Sequence, residues 1–387
     1  MSDKFFETLD RIQAEGGTAE ALLKGDGTPV AKLRRESAEY ATRLARTAQF
    51  VEGLYKGRYT LRQFREAMTT DDFPYLFGDI IDRQLLAGYQ ATPVTWSNYI
   101  KRGTVRDFRA VNRFTIDGGE AYLDQVPERG PYPTAALSDG KYTYSVAKFG
   151  RRMGFSFESM VNDDLDALKD IPARFGRAAA RSEERFATDM FVGTDGPDGT
   201  FYASGNANVV TSNPALTITS LQTGMQILAA QTDDDGEPIA IDAVHLVVPP
   251  ALEITGQNIL NAIQLELTTE GGGTSASKLI ARNWMANRVR LHVNYYIPRL
   301  ATNNKNTSWF LFADPNSGRP AAEMGFLRGY EQPQVFMKAP NASRVGGGTN
   351  IMDGDFDSDQ IEYKVRHIFG GTLMDPKMSV ASQGDGS

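Results

Sequence analysis

Cysteine is absent from the 387-residue chain. Disulfides, thiolate nucleophiles and cysteine-based metal sites are thereby excluded, and the absence suits a chain that folds in a reducing cytoplasm. Histidine is nearly absent. His245, His292 and His367 stand far apart in sequence, so no histidine-rich metal centre is expected and a hydrolytic triad would rest on one isolated base. Long apolar runs are missing too: the longest, AVHLVVPPALEI, is broken by Pro249 and Pro250 and is too short to span a bilayer. The opening MSDKFFETLDRI alternates charge with apolar residues and lacks the basic start and hydrophobic run of a signal peptide. A soluble, non-secreted protein without membrane contact is the expectation. Positive charge is not in excess either; the formal net charge is -7, which argues against a protein whose main task is gripping nucleic-acid phosphates.

Nucleotide and hydrolase motifs are missing as well. There is no GxxxxGK[ST] and no GxGxxG, and GGGTSASK has the glycines without the spacing. GFSFES keeps Ser156 but has Glu158 where a nucleophile elbow needs its second glycine. DGDFDSDQIEYK offers the alternate acids of a calcium loop, yet Ser358 replaces the sixth-position glycine and Lys364 the final glutamate. The acids Asp233, Asp234 and Asp235 before Gly236 read as a turn. No catalytic residue, cofactor or metal ligand is expected, and the chain reads as no enzyme.

What is present is a succession of textures. The length suggests two or three lobes, and 41% apolar with 23% charged residues is ordinary globular usage. Leu33, Tyr40, Leu44, Ala48, Val51 and Tyr55 form one helical stripe, and Ile80, Ile81, Leu85, Leu86 and Tyr89 a second, with Pro74 near its start. From Val105 to Phe157 strands alternate with turn residues, which predicts a long two-stranded excursion that needs support from another surface, such as a neighbouring subunit. Leu165, Leu168, Ile171, Phe175, Ala179, Ser182, Phe186 and Met190 then recur at spacings of three or four, with charged residues opposite. This predicts a helix of about twenty residues after Pro172, or roughly 30 Å. Helices TSLQTGMQILAAQ and ALEITGQNILNAI alternate with strands AVHLVVP, RVRLHVNYYI and SWFLFAD to describe an α/β lobe. Finally, DQIEYKVRHIFGG places Ile361, Tyr363, Val365, His367 and Phe369 on one side of a strand and Glu362, Lys364 and Arg366 on the other. Gly370 and Gly371 offer a place to bend, and MDPKMSV begins another alternating run. A histidine in such an apolar stripe reads as a packed, hydrogen-bonded side chain.

Several of these stretches carry a resemblance. DFPYLFGDIIDRQLL, YTYSVAKFGRRMGFSFESMVNDDLDALKDIPARFGRAAARSEERF, VHLVVPPALE, WFLFADPNSGRPAAEMGFLRGYEQPQ and DSDQIEYKVRHIFGG are similar to segments of the major capsid proteins of tailed bacteriophages. The resemblance covers most of residues 70 to 382 and implies an α+β fold with an N-terminal arm, an extended loop, a long spine helix, a peripheral domain and an axial domain. The segments implied are 1–103 for extension and arm, 104–157 for the extended loop, 158–214 for the peripheral domain with its spine helix, 215–345 for the axial domain, and 346–387 for a linker and closing peripheral strands. Residues 1–69 match least and stand as either a retained arm or a portion removed on maturation. The resemblance further implies self-assembly into hexamers and pentamers of an icosahedral shell in the virion, built in the host cytoplasm around non-specifically contacted double-stranded DNA. A scaffolding function, a portal and a decoration protein are the implied partners. Candidate subunit contacts are Glu128, Arg129, Tyr132, Lys141, Arg151, Arg152, Glu362, Lys364 and Arg366. A bacterial nanocompartment shell, and more remotely an acid/base hydrolase, are the alternatives.

Overall fold

The computed structural model describes residue 49 and residues 83–386, apart from 118–137, 156–170, 234–235, 240, 242–243, 263, 269–277, 286–287, 339–340, 342–354 and 358. The stripe at 31–55, Pro74, Leu165 and Leu168 lie outside the described residues. After a helical stretch at 83–90 come β1 (Lys101–Val105), β2 (Val111–Asp117), β3 (Ser138–Tyr144) and β4 (Ala147–Phe155), then the long helix α1 (Ile171–Phe191). There follow β5 (Val192–Gly193), β6 (Gly196–Pro197), α2 (Ile218–Ala229), β7 (Val244–Val248), α3 (Glu253–Asn261), β8 (Gln264–Thr268), β9 (Lys278–Arg282) and β10 (Val289–Val293). The remainder is α4 (Ile297–Leu300), β11 (Trp309–Ala313), β12 (Ala322–Leu327), β13 (Gln334–Met337), β14 (Ile361–Leu373) and β15 (Ser379–Ser382). Mixed helix and sheet is therefore the observed class.

The chain divides into two compact units, one of Met1–Ala91, Gly150–Arg177 and Pro333–Arg366, the other of Thr92–Phe149, Ala178–Gln332 and His367–Ser387. In the second unit β10, β7, β11 and β15 form a four-stranded sheet in that order. β10 runs parallel to β7, which requires the crossover carrying α3, whereas β11 is antiparallel to both β7 and β15. Every residue of β7 and β11 is buried, as continuous apolar runs such as WFLFA demand of strands covered on both faces. The two-residue period divides them: Leu246, Trp309, Leu311 and Val380 enter one core with Leu221, Met225 and Leu228 of α2, while Val247, Phe310, Phe312 and Ala381 enter another with Phe191, Tyr99 and Trp96. α2 begins at a capping box in which the Thr217 hydroxyl accepts from the Ser220 amide. The same unit contains β1 paired in parallel with β12, and β12 antiparallel to residues 369–373 of β14.

Sequence and structure part at several points. Gly370 and Gly371 do not bend the chain; they pair with Gly325 and Met324 inside the ladder, and β14 continues to Leu373. Their smallness serves packing, because a β-carbon at Gly370 would lie 2.2 Å from the Ser145 carbonyl oxygen. MDPKMSV is not an alternating strand: Asp375 caps a short 3-10 turn, and all four residues of β15 are buried because it lies against β11. The strand expected in RVRLHVNYYI stops at Val293, where the Asn294 side chain turns inward and accepts from the Tyr296 amide.

In the first unit the helical stretch at 83–90 packs on the opening turns of α1. A β-carbon at Gly176 would lie 2.1 Å from the Leu85 carbonyl oxygen, and one at Gly88 would lie 2.4 Å from that of Ala173. The two glycines thus permit backbone contact where larger residues would hold the helices apart. Leu85, Phe175 and Val365 fill the adjoining core, with Val335 of β13 and Tyr363 of β14 packed against it. β13 pairs antiparallel with residues 363–366.

Candidate functional site

The expected helix stripe is correct at Phe175 and Ala179, which are buried, and wrong at Ser182, which is exposed. The acids expected on the opposite, solvent face are instead inside: Glu183 is 0% and Glu184 6% exposed. Glu183 meets His367, with the Nε2–Oε1 distance 2.5 Å, and the imidazole also lies against the rings of Phe326 and Phe369. Glu184 accepts from the amides of Thr95 at 2.7 Å and Trp96 at 3.1 Å, from the Thr95 hydroxyl, and from Asn294 Nδ2 at 3.2 Å. Burial pushes the Glu184 carboxyl up, against the opposing effect of these bonds. Burial also raises the Tyr99 phenol, which accepts from Asn294 Nδ2.

A third buried carboxylate anchors the β2–β3 ribbon. Glu323 of β12 receives Arg113 from β2, with Nε at 2.8 Å and Nη2 at 2.7 Å, and the Tyr144 hydroxyl at the end of β3 donates to the same Oε1 at 2.6 Å. Gly103 on β1 leaves the space, since a β-carbon there would lie 2.2 Å from that oxygen. Burial, then the bond and charge of Glu323, raise the Tyr144 phenol. For Arg113 burial works downward, but the bond to Glu323 and its charge outweigh it, so the guanidinium is held more firmly protonated. Beyond this anchor β2 and β3 pair only with each other among the described residues. Phe114, opposite Lys141 in the ladder, is 62% exposed.

Of the residues singled out in the sequence, Glu128, Arg129 and Tyr132 lie outside the described residues. Lys141 on β3 and Arg151 and Arg152 on β4 are exposed. Arg152 reaches Glu362 at 3.4 Å, and Lys338 bridges Glu362 at 3.5 Å and Asp355 at 3.2 Å. The Asp355 bond raises the Lys338 amine, and reciprocally Lys338 lowers the Asp355 carboxyl. Arg366 Nη2 donates to Gln334 at 2.7 Å, and its guanidinium sits 4.5 Å from the Phe336 ring centre. Lys364 is exposed, with its amine 5.1 Å from the same ring. Six of the nine are thus seen; Arg152 and Glu362 meet directly, and Lys364 and Arg366 share Phe336.

A model of the phage capsid protein family matches residues 141–381. The chain belongs to the phage capsid protein family. The fold is similar to the solved capsid structure of cyanophage P-SCSP1u, at 10% identity over 75% of this chain and 88% of that one, with a TM-score of 0.44. It is similar to a chain of Mycobacterium phage Bobi at 12% identity, 75% and 90% coverage and a TM-score of 0.42. It is also similar to a virus-like particle from Pyrococcus furiosus at 9% identity, 79% and 99% coverage and a TM-score of 0.40. No curated protein matches the sequence. The family match carries the assignment: this is the capsid protein of a phage, a structural protein and by family a part of the virion.

The remaining two histidines sit on neighbouring strands in β7 and β10, with His245 Nδ1 2.9 Å from His292 Nε2. Burial lowers both imidazoles; that of His292 falls to about 4, helped by His245 and by Arg290. Among the described residues no cluster of three or more metal-binding side chains occurs. Sequence reading missed Glu323 and Glu184. The signal for the first was present: one acid inside the apolar run AAEMGFL is a buried charge in search of partners.

Proposed function

We propose that the chain is the major head protein of a tailed phage, whose copies form the hexamers and pentamers of an icosahedral shell around double-stranded DNA. The observation that carries this reading is the family match over residues 141–381, and the β2–β3 ribbon supports it. A two-stranded ribbon with both edges unpaired is marginal in water, and this one, tied down at Glu323 and exposing Phe114, gains most from a neighbouring subunit. In this reading residues 1–103 are extension and arm, 104–157 the extended loop, 158–214 the peripheral domain with α1 as spine helix, 215–345 the axial domain, and 346–387 a linker and the closing peripheral-domain strands. β15 lends its edge to the sheet of β7 and β11. The contact residues of this proposal are Lys141, Arg151, Arg152, Glu362, Lys364 and Arg366, with Glu128, Arg129 and Tyr132 at the loop. A scaffolding function, a portal and a decoration protein complete the assembly in the host cytoplasm.

Electron microscopy of the purified full chain tests the proposal. Closed particles of uniform diameter are expected. Replacing residues 118–137 by a short turn, which keeps the Asp117–Ser138 end of the ladder, should leave a folded protein that forms no closed shell. Normal shells from that variant, or monomers alone from the unaltered chain even with a scaffolding protein supplied, would contradict the assignment.

A further inference from the structure

His245 and His292 stand 47 residues apart in sequence. They meet because β7 and β10 run parallel, joined by the crossover that carries α3. In the register His245 lies opposite Arg290 and Val247 opposite His292, so the two imidazoles are diagonal neighbours on one face of the sheet. His245 Nδ1 is 2.9 Å from His292 Nε2, and the ring centres are 5.1 Å apart. β10 is the end strand of its sheet and His292 is half-buried, so solvent approaches the pair from that edge. The outer nitrogens, Nε2 of His245 and Nδ1 of His292, are not among the atoms sealed from solvent without a partner.

We propose that this pair chelates a divalent transition metal, Cu(II) by preference, through Nδ1 of His245 and Nε2 of His292, with water completing the coordination. Distance selects the metal. At metal–nitrogen lengths of about 2.05 Å, two ligands at a right angle stand about 2.9 Å apart, and two at the tetrahedral angle about 3.3 Å apart. The observed 2.9 Å is the spacing of adjacent positions in a square or octahedral set, which suits Cu(II) and Ni(II) better than Zn(II), and copper binds nitrogen most tightly of the divalent ions. One of the facing nitrogens carries the proton of the present hydrogen bond. Moving it to the outer nitrogen of the same ring leaves that imidazole neutral, bares both facing lone pairs and releases no proton. Burial lowers both imidazoles, so neither ring must first lose a proton at neutral pH. Two charged groups bear on the pair: Asp314, just past the end of β11, favours a dication, and the exposed Arg290 opposes it. The chain has no cysteine, and its third histidine is tied to Glu183, so neither a thiolate nor an open imidazole competes. Bound copper would join the end strand to the sheet and stabilise it by mass action. The inference is independent of the shell reading.

The test uses the untagged full-length chain, stripped with a chelator that is then removed, and copper(II) chloride as the probe. One copper should bind per chain, and its electron paramagnetic resonance spectrum should show coupling to two imidazole nitrogens. The melting temperature should rise with copper and stay unchanged with Mg(II) or Ca(II), which prefer oxygen ligands. His292→Gln should weaken copper binding by at least the ~10-fold that loss of even a supporting partner costs. Should that variant fail to fold, the unaltered chain still decides: substoichiometric copper should broaden the ring-proton resonances of His245 and His292 before those of His367. Unchanged copper affinity in a folded His292→Gln, a spectrum without two-nitrogen coupling, or broadening that spares the pair overturns the proposal. None of these readouts depends on particle formation, so the site and the shell reading fail separately.

Discussion

Nε2 of His367 lies 2.5 Å from Oε1 of Glu183, and both side chains are buried. Strand β14 and helix α1 are thereby joined by a polar contact inside an aromatic cluster. Removing one partner leaves the other buried without it, which typically costs about 3 kcal/mol. Glu183→Ala should therefore lower the melting temperature clearly, and adding His367→Phe should recover part of the loss. A melting temperature equal to that of the parent would show that the contact contributes nothing to stability.

The crossing of the 83–90 helix on α1 depends on missing side chains. Gly176→Ala forces a methyl group against the Leu85 carbonyl, an overpacking expected to cost about 1–3 kcal/mol. Gly199→Ala, where a β-carbon meets nothing within 4 Å, is the control. Denaturant midpoints of the two variants should differ in that order.

Anchoring of the ribbon can be weakened without touching its exposed residues. Tyr144→Phe removes one hydrogen bond to the buried Glu323 carboxylate, with a loss of about 1–2 kcal/mol. Hydrogen exchange in β2 and β3 should accelerate while that in β7 and β11 stays the same. Uniform acceleration throughout would mean that the bond supports the whole unit.

The histidine pair makes stability depend on acidity. The His292 imidazole is depressed to about 4 in the folded chain, so between about 6.5 and 4 the unfolded chain binds more protons. Its contribution is fully present above pH 6.5 and lost as pH falls towards 4. Glu184, whose carboxyl is raised, works in the opposite direction, so the readout is a difference. The melting temperature of His292→Gln should fall less between pH 7 and 4 than that of the parent, and parallel curves would remove the pair from the account.

Charge reversal separates the two cations of β14. Lys364→Glu alters an exposed residue and should reduce particle yield with little change in melting. Arg366→Glu breaks the bond to Gln334 and the contact with Phe336 and should lower the melting temperature itself. Equal loss of stability in both variants would place Lys364 in the fold rather than in an interface.

Much of the fold could be read from periodicity. The α1 helix, the strands of the α/β lobe and the apolar face of β14 each announce themselves through a local repeat, and local repeats are what a sequence displays. Partners across long separations are not local. Nothing near Glu362 points to Lys338, and nothing near His367 points to Glu183. The clearest misreading, that Glu183 and Glu184 face solvent, followed from treating charge as a mark of exposure. Buried carboxylates that meet donors inside the fold escape that rule, as Glu183 does at His367 and Glu184 at Thr95, Trp96 and Asn294.

The order of strands in the four-stranded sheet also constrains how the chain is made. Val380 pairs with Leu311, which pairs with Leu246, so the sheet closes only through contacts of very long range, and such pairings form slowly. Until β15 arrives, WFLFA offers its apolar residues and one open edge to any passing strand. The interval before that last strand docks is therefore the moment of greatest exposure to aggregation. Variants that slow β15, such as a substitution in the Asp375 cap, should be felt as lost yield of soluble chain before any change in the finished subunit.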